Sequence, residues 1–145
     1  METTVFRLIR TDSDPVEFNG RLLCSLKSPR ARRLESKDSY VRWFEADIHE
    51  TRFGTIIAAV RYRFRGPMTE EREYDGVFTA DSPIAIVSQI ATFDPTECVY
   101  GFPDGDYWND RQKRLDLDIR RDWAALVEDL KESLSNLYSP ATVIQ

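Results

Sequence analysis

From Val16 onward the chain alternates cleanly: Val16, Phe18, Gly20, Leu22, Cys24 and Leu26 share one face, opposite Glu17, Asn19, Arg21, Leu23, Ser25 and Lys27. A period of two sends successive side chains to opposite sides of a strand, so this row predicts a half-buried strand. Residues 4–10 predict a shorter strand before it, stopped by the turn-forming Asp12-Ser13-Asp14-Pro15. Lys27 to Asp38 is polar, contains Ser28-Pro29 and the basic group Arg30, Arg32 and Arg33, and has no sustained apolar period. It reads as a loop.

Residues 40–50 and 55–65 flank Arg52-Phe53-Gly54, a loop in which Gly54 supplies the left-handed residue of a hairpin turn with a bulge. Pairing Thr51 with Thr55 sets Ile48 opposite Ala58, Ala46 opposite Val60 and Phe44 opposite Tyr62, so one face is apolar on both strands. On the other face Glu45 meets Arg61, an opposite-charge pair, and Trp43 meets Arg63, the geometry of a cation–π contact. A slip of one residue sets Phe44 against Arg61 and loses both matches.

Residues 72–79 place Tyr74, Gly76 and Phe78 on one side and predict a further antiparallel strand. Ser82-Pro83, an N-cap followed by proline at the first helical position, opens a short, mostly buried helix carrying Ile84, Val87 and Ala91 with Ile86 and Ile90. Glu97 to Phe102 and Arg114 to Ile119, the latter alternating as Leu115, Leu117 and Ile119, predict two strands that pair. From about Asp118 the spacing turns helical, and Ile119, Trp123, Leu126, Val127, Leu130, Leu134, Leu137 and Tyr138 form one stripe until Ser139-Pro140 ends it. The fold class is therefore α+β: an antiparallel β-meander sheet of about five or six strands packed on one long C-terminal helix, with a second short helix.

Length and composition fit one domain over residues 1–145. The chain has 145 residues, 41% of them hydrophobic and 12% aromatic, enough apolar mass for a core of its own. No linker-like run or internal repeat divides it. No window approaches the roughly 18 apolar residues of a membrane span. The opening Met-Glu-Thr-Thr lacks the basic stretch of an export signal, and two cysteines are too few for a disulfide framework. These features lead to the expectation of a small soluble, cytoplasmic protein without a membrane partner.

The charge is unevenly spread. Residues 1–65 carry 13 basic and 9 acidic side chains, and residues 66–145 carry 7 and 16, so the expected fold is one whose halves attract one another. Arginine outnumbers lysine 16 to 4, a bias that suits bidentate recognition but also follows from a GC-rich genome.

Most catalytic signatures are missing. His49-Glu50 is followed by Thr51-Arg52-Phe53, so H-E-x-x-H lacks its second ligand, and no phosphate-binding glycine motif or nucleophile elbow occurs. Asp47 and His49 share a strand face, an arrangement in which the carboxylate raises the imidazole pKa, but no nucleophile is placed beside them. Asp104, Asp106, Asn109 and Asp110 gather oxygen ligands around Gly105, yet lack the distal glutamate of a calcium loop. Glu35-Ser36-Lys37, with Asp14 upstream, has the E-x-K spacing of metal-dependent nucleases but sits in a polar stretch. The sequence thus names no catalytic residue, no metal site and no cofactor.

What remains is an interaction surface. The sheet face opposite the core offers Trp43, Ile57 and Val41 with Arg61, Arg63 and Arg65, the aromatic and arginine mixture of contact centres. The leading expectation is a non-enzymatic interaction or regulatory module that binds a protein partner, or a second copy of itself, through Trp43, Arg61, Arg63 and Arg65. The alternative is a nucleic-acid-binding protein using Lys27, Arg30, Arg32 and Arg33 with the strand arginines. A metal-dependent hydrolase or nuclease built on the Asp/Glu clusters comes third.

Overall fold

The structure is a computed structural model, and it describes residues 3–11, 13–28, 31–35, 38–65, 72–100 and 110–138. Six strands lead into three helices: β1 (Thr4–Arg10), β2 (Ser13–Lys27), β3 (Ala31–Glu35), β4 (Asp38–Thr51), β5 (Ile56–Arg65), β6 (Arg72–Ala80), α1 (Pro83–Thr92), α2 (Glu97–Tyr100) and α3 (Asp110–Tyr138). The strands form one antiparallel sheet in the order β1-β2-β4-β5-β6, and β3 also pairs with β4. Helices α1 and α3 cover one face of the sheet, which gives the expected α+β architecture.

The hairpin at Arg52-Phe53-Gly54 has the expected register. Phe44 opposes Tyr62, Ala46 opposes Val60, Ile48 opposes Ala58, Trp43 opposes Arg63 and Glu45 opposes Arg61. The Thr51 amide donates to the Thr55 carbonyl at 2.8 Å, and Gly54 adopts φ +90°, a conformation that a Cβ disfavours.

The inner row of the hairpin, Phe44, Ala46, Ile48, Ala58, Val60 and Tyr62, is fully buried against α1 and α3. Ile119, Trp123, Leu126, Val127, Leu130 and Leu134 of α3 and Ile86 and Ile90 of α1 complete this core. Trp123 sets its edge against Phe44, with ring centroids 5.1 Å apart, and its indole N–H donates to the Ile90 carbonyl at 3.0 Å. Helix α1 starts as its sequence requires, with the Ser82 hydroxyl accepting from the Ala85 amide and Pro83 in the first turn.

Five local expectations are corrected. Ala31–Glu35 lies in the stretch expected to be a loop but forms β3, because the first residues of β4 need a ladder partner whatever the pattern of the segment that supplies it. Glu97–Tyr100 is helical rather than extended. The alternating Leu115, Leu117 and Ile119 belong to α3, where Asp116–Arg120 and Asp118–Arg121 pair at helical spacings of four and three residues and leave Leu117 exposed. The turn before β2 is shorter than expected, since Ser13 already pairs with Arg10. Near the ends of the helices Ile84, Leu137 and Tyr138, expected in the buried stripes, are exposed.

Arg42 stands among these apolar neighbours at 1% exposure, its guanidinium bound to the Asp122 carboxylate of α3 at 3.1 Å. Removing one member of such a pair strands the other, and the stranded charge costs more the deeper it lies. Arg42 lies deeper than Asp122. Asp122→Ala is therefore expected to lower stability by about 3–5 kcal/mol and to cost more than Arg42→Met, whose side chain refills the space with apolar atoms. Urea denaturation of both variants checks the order; equal costs would show that burial of the cation is not what the pair serves.

Candidate functional site

The second face of the sheet holds the residues singled out by the sequence, and its shape follows from backbone irregularities. A register shift lies between Leu8 and Arg10 of β1, and another between Leu22 and Cys24 of β2. Bulges of this kind bend and twist a strand. A third irregularity separates β2 from β3, where the Ser28 amide donates to the Phe44 carbonyl at 2.9 Å and the Ser28 hydroxyl accepts from the Phe44 amide at 2.8 Å. A side chain thus fills the ladder position that the backbone leaves.

The sheet curls until its two edges meet. At the end of β1 the Thr11 amide donates to the Asp75 carbonyl of β6 at 2.9 Å, and the Asp75 amide donates to the Thr11 hydroxyl at 2.7 Å. The result is a half-barrel whose concave side is the face expected to be open. Ile57, expected among the exposed residues of that face, is 4% exposed, and Ala59 beside it is 5% exposed.

The charged part of the concave face is a lattice. The register aligns Lys27, Glu45, Arg61 and Asp75 in one row across four strands, alternating in sign. Arg61 reaches Glu45 at 3.0 Å and Asp47 at 2.8 Å, and Lys27 reaches Glu45 at 3.2 Å. Arg63 binds Asp75 at 2.9 Å, while Arg65 binds Glu73 at 2.9 Å. Arg65, not the expected Arg63, lies over the Trp43 ring at 5.7 Å, because Asp75 draws the Arg63 guanidinium the other way. Burial pushes the Glu45 carboxyl up, but hydrogen bonds from Arg61, Lys27 and Trp43 outweigh it and hold the pKa down at about 2.

The apolar part centres on His49. Its ring lies 4.5 Å from that of Phe6 and 5.3 Å from that of Phe18, is 3% exposed, and neither nitrogen has a hydrogen-bond partner among the described residues. Burial pushes its pKa below the usual value; Asp47 opposes this, but Arg61 adds to it. The expected rise from Asp47 is outweighed by burial, and Arg61, which Asp47 binds, adds to the fall. No sequence pattern announced this aromatic box, although Phe6 and Phe18 sit at matching points of the two N-terminal rows.

The other candidates are placed less completely. Arg32 and Arg33 are described only as backbone within β3, and Arg30, Ser36, Lys37, Asp104, Asp106 and Asn109 lie outside the described residues. Asp14 stands exposed near the start of β2. Among the described residues no three His, Cys, Asp or Glu side chains gather closely enough to hold a metal ion. Burial pushes the Cys98 thiol up to about 12 and, with Asp47, raises that of Cys24, so neither is an activated nucleophile. A groove of about 400 Å³ between α1 and α3 is lined by Ile84, Val87, Leu134 and Tyr138, with Lys131 already paired to Glu128.

The held-down Glu45 carboxyl makes a pH prediction. Its folded pKa lies below the ordinary 4.5, so its stabilisation is complete above that value and is lost as pH falls toward about 2. In urea titrations at pH 7, 4 and 3, Glu45→Gln is expected to be less stable than the parent at pH 7 and to approach it at pH 3; a constant difference across the series would refute the assignment. Comparisons of the chain with known protein families, curated proteins and solved structures return no match.

Proposed function

We propose that this chain is a non-enzymatic interaction module that binds a protein partner at the end of the concave face where Arg65 covers Trp43. The observation that carries this reading is the charge balance of the lattice. Lys27, Arg61, Arg63 and Arg65 are each paired with one or more of Glu45, Asp47, Glu73 and Asp75, so this group of side chains has no net charge.

A phosphate backbone is held by cations that release its counterions, and affinity then falls steeply with salt. A neutral lattice lacks that driving force, which places the nucleic-acid reading second. A protein surface needs something else: rigid aromatic and guanidinium groups whose ordering entropy is already spent. The Trp43 and Arg65 pair, with Arg65 also bound to Glu73, supports that reading.

Double replacement Trp43→Ala with Arg65→Ala tests the reading. The parent chain, used as bait in extracts of its native host, is expected to retain a protein partner whose affinity depends weakly on salt, and the double variant is expected to lose at least about tenfold in affinity for it, equivalent to about 1.4 kcal/mol. Equal binding by both chains would remove this face from consideration. Recovery of nucleic acid that dissociates steeply between low and high salt would favour the alternative built on Lys27, Arg30, Arg32 and Arg33.

A further inference from the structure

Beyond its last pair with β4, Gly20 opposite Thr51, β2 continues as Ser13–Asn19, paired along its length with β1 and joined at its root to the β4–β5 turn, where the Arg52 amide donates to the Asn19 carbonyl at 2.9 Å. These two segments form a ribbon that folds back over the concave face. Although β1 is one strand further from β4 than β2 is, its Phe6 ring approaches His49 more closely than Phe18 does. The tip of the ribbon reaches β6 through the two hydrogen bonds between Thr11 and Asp75.

Past the bond at its root, the described residues hold the ribbon down through the polar clasp at its tip and the aromatic box at its middle. The bulge between Leu22 and Cys24 lies at its root, and Gly20 permits the close approach there, since a Cβ at that position would meet the Glu50 carbonyl oxygen at 2.4 Å. The box has a weakness that the clasp lacks. Its central ring is a titratable imidazole enclosed by hydrocarbon, with no acceptor for a second N–H proton among the described residues.

We infer that the ribbon of β1 and Ser13–Asn19 is an acid-released strap: protonation of His49 frees it from the concave face while the β4–β5–β6 sheet and its helices stay folded.

The charges around the ring support this direction. On β4, Asp47 is the nearest carboxylate by sequence on this face, and Arg61 of β5 already binds it at 2.8 Å. On β6, Asp75 is bound to Arg63. The inward residues of the strap, Phe6, Leu8, Val16 and Phe18, carry no charge, and Arg10 at its end donates to the Asp14 carbonyl. Its Arg7 and Glu17 pair with each other on the outer face, and Arg21 and Glu50 do the same beside the root. An imidazolium in the box thus gains no free anion among the described residues, and contact with two phenyl rings offsets only part of its lost hydration. The unfolded imidazole titrates near 6.5 and the enclosed one lower, so a fall in pH through 6.5 favours the state in which the ring is released.

The strap's contacts with His49 and Asp75 do not involve Trp43 or Arg65, and its release would open them whether or not a partner binds at Trp43. This inference and the proposed function therefore stand or fall separately.

Hydrogen exchange on the full chain at pH 7.5 and pH 5.0, corrected for intrinsic rates, reads the strap directly. Amides of Thr4–Arg10 and Ser13–Asn19 are expected to lose about tenfold in protection at pH 5.0, while those of β4 and β5 keep theirs. The chain has a single histidine, so its ring proton resonance gives the titration without ambiguity, with a midpoint below 6.5 that matches the loss of protection. His49→Phe, and His49→Gln should the phenyl ring not fit, are expected to abolish the pH dependence. Unchanged strap protection at pH 5.0, simultaneous loss of protection throughout the sheet, or persistence of the effect in the folded variant would each overturn the inference.

Discussion

The fold depends on the pairing of β4, the strand against which the rest is registered. On one side it meets β5 from Val41 to Glu50; on the other it meets β2 from Glu45 to Thr51 and β3 from Asp38 to Arg42. Its two faces also have opposite needs. Phe44, Ala46 and Ile48 lie in the helix-covered core, while Trp43, Glu45, Asp47 and His49 line the concave side. A one-residue shift would drive Glu45 and Asp47 among the side chains of α3, where a carboxylate has no water and no partner. The position of β4 consequently decides which residues the core, the lattice and the aromatic box receive.

This explains which parts of the structure were legible in the sequence. The β4–β5 hairpin could be read because both its faces carry information, apolar on one side and paired charges on the other. Strand β3 could not, since its pairing answers to the excess length of β4 and not to any alternation of its own. The start of α3 was misread because Leu115, Leu117 and Ile119 satisfy a period of two, while the opposing signal lay in the charges, Asp116 with Arg120 and Asp118 with Arg121. As for the site, the facing of Trp43, Arg61, Arg63 and Arg65 was readable, but the curl that encloses them was not. Curvature arises from two bulges and from a single serine hydroxyl standing in for a backbone carbonyl, none of which has a fixed residue signature.

The uneven charge of the chain also acquires a location. Arg42 with Asp122, Arg63 with Asp75, and Arg65 with Glu73 each join a cation from the basic first half to an anion from the acidic second half. The first ties sheet to helix, and the other two tie β5 to β6. Attraction between the halves is therefore expressed at two seams, one deep and one half-buried. The deep seam fixes where α3 lies, since there, among the described residues, a charged arginine enters the core. Tyr138 adds a further tether at the end of α3, donating to Glu50 at 2.9 Å.

The bond between Thr11 and Asp75 spans 64 residues, in a sheet whose neighbouring strands mostly follow one another along the chain. Successive hairpins close short loops and form early, whereas this closure has nothing to rest on until β6 is in place. The expected order of folding is the meander first and the joined sheet edges afterwards. Phe6 and Phe18 precede β6 in the chain, so the ribbon that carries them is made before the strand to which its tip is clasped. Until that clasp forms the ribbon is a free edge, and the outward ion pair of Arg7 with Glu17 on it limits how tightly another strand can settle there.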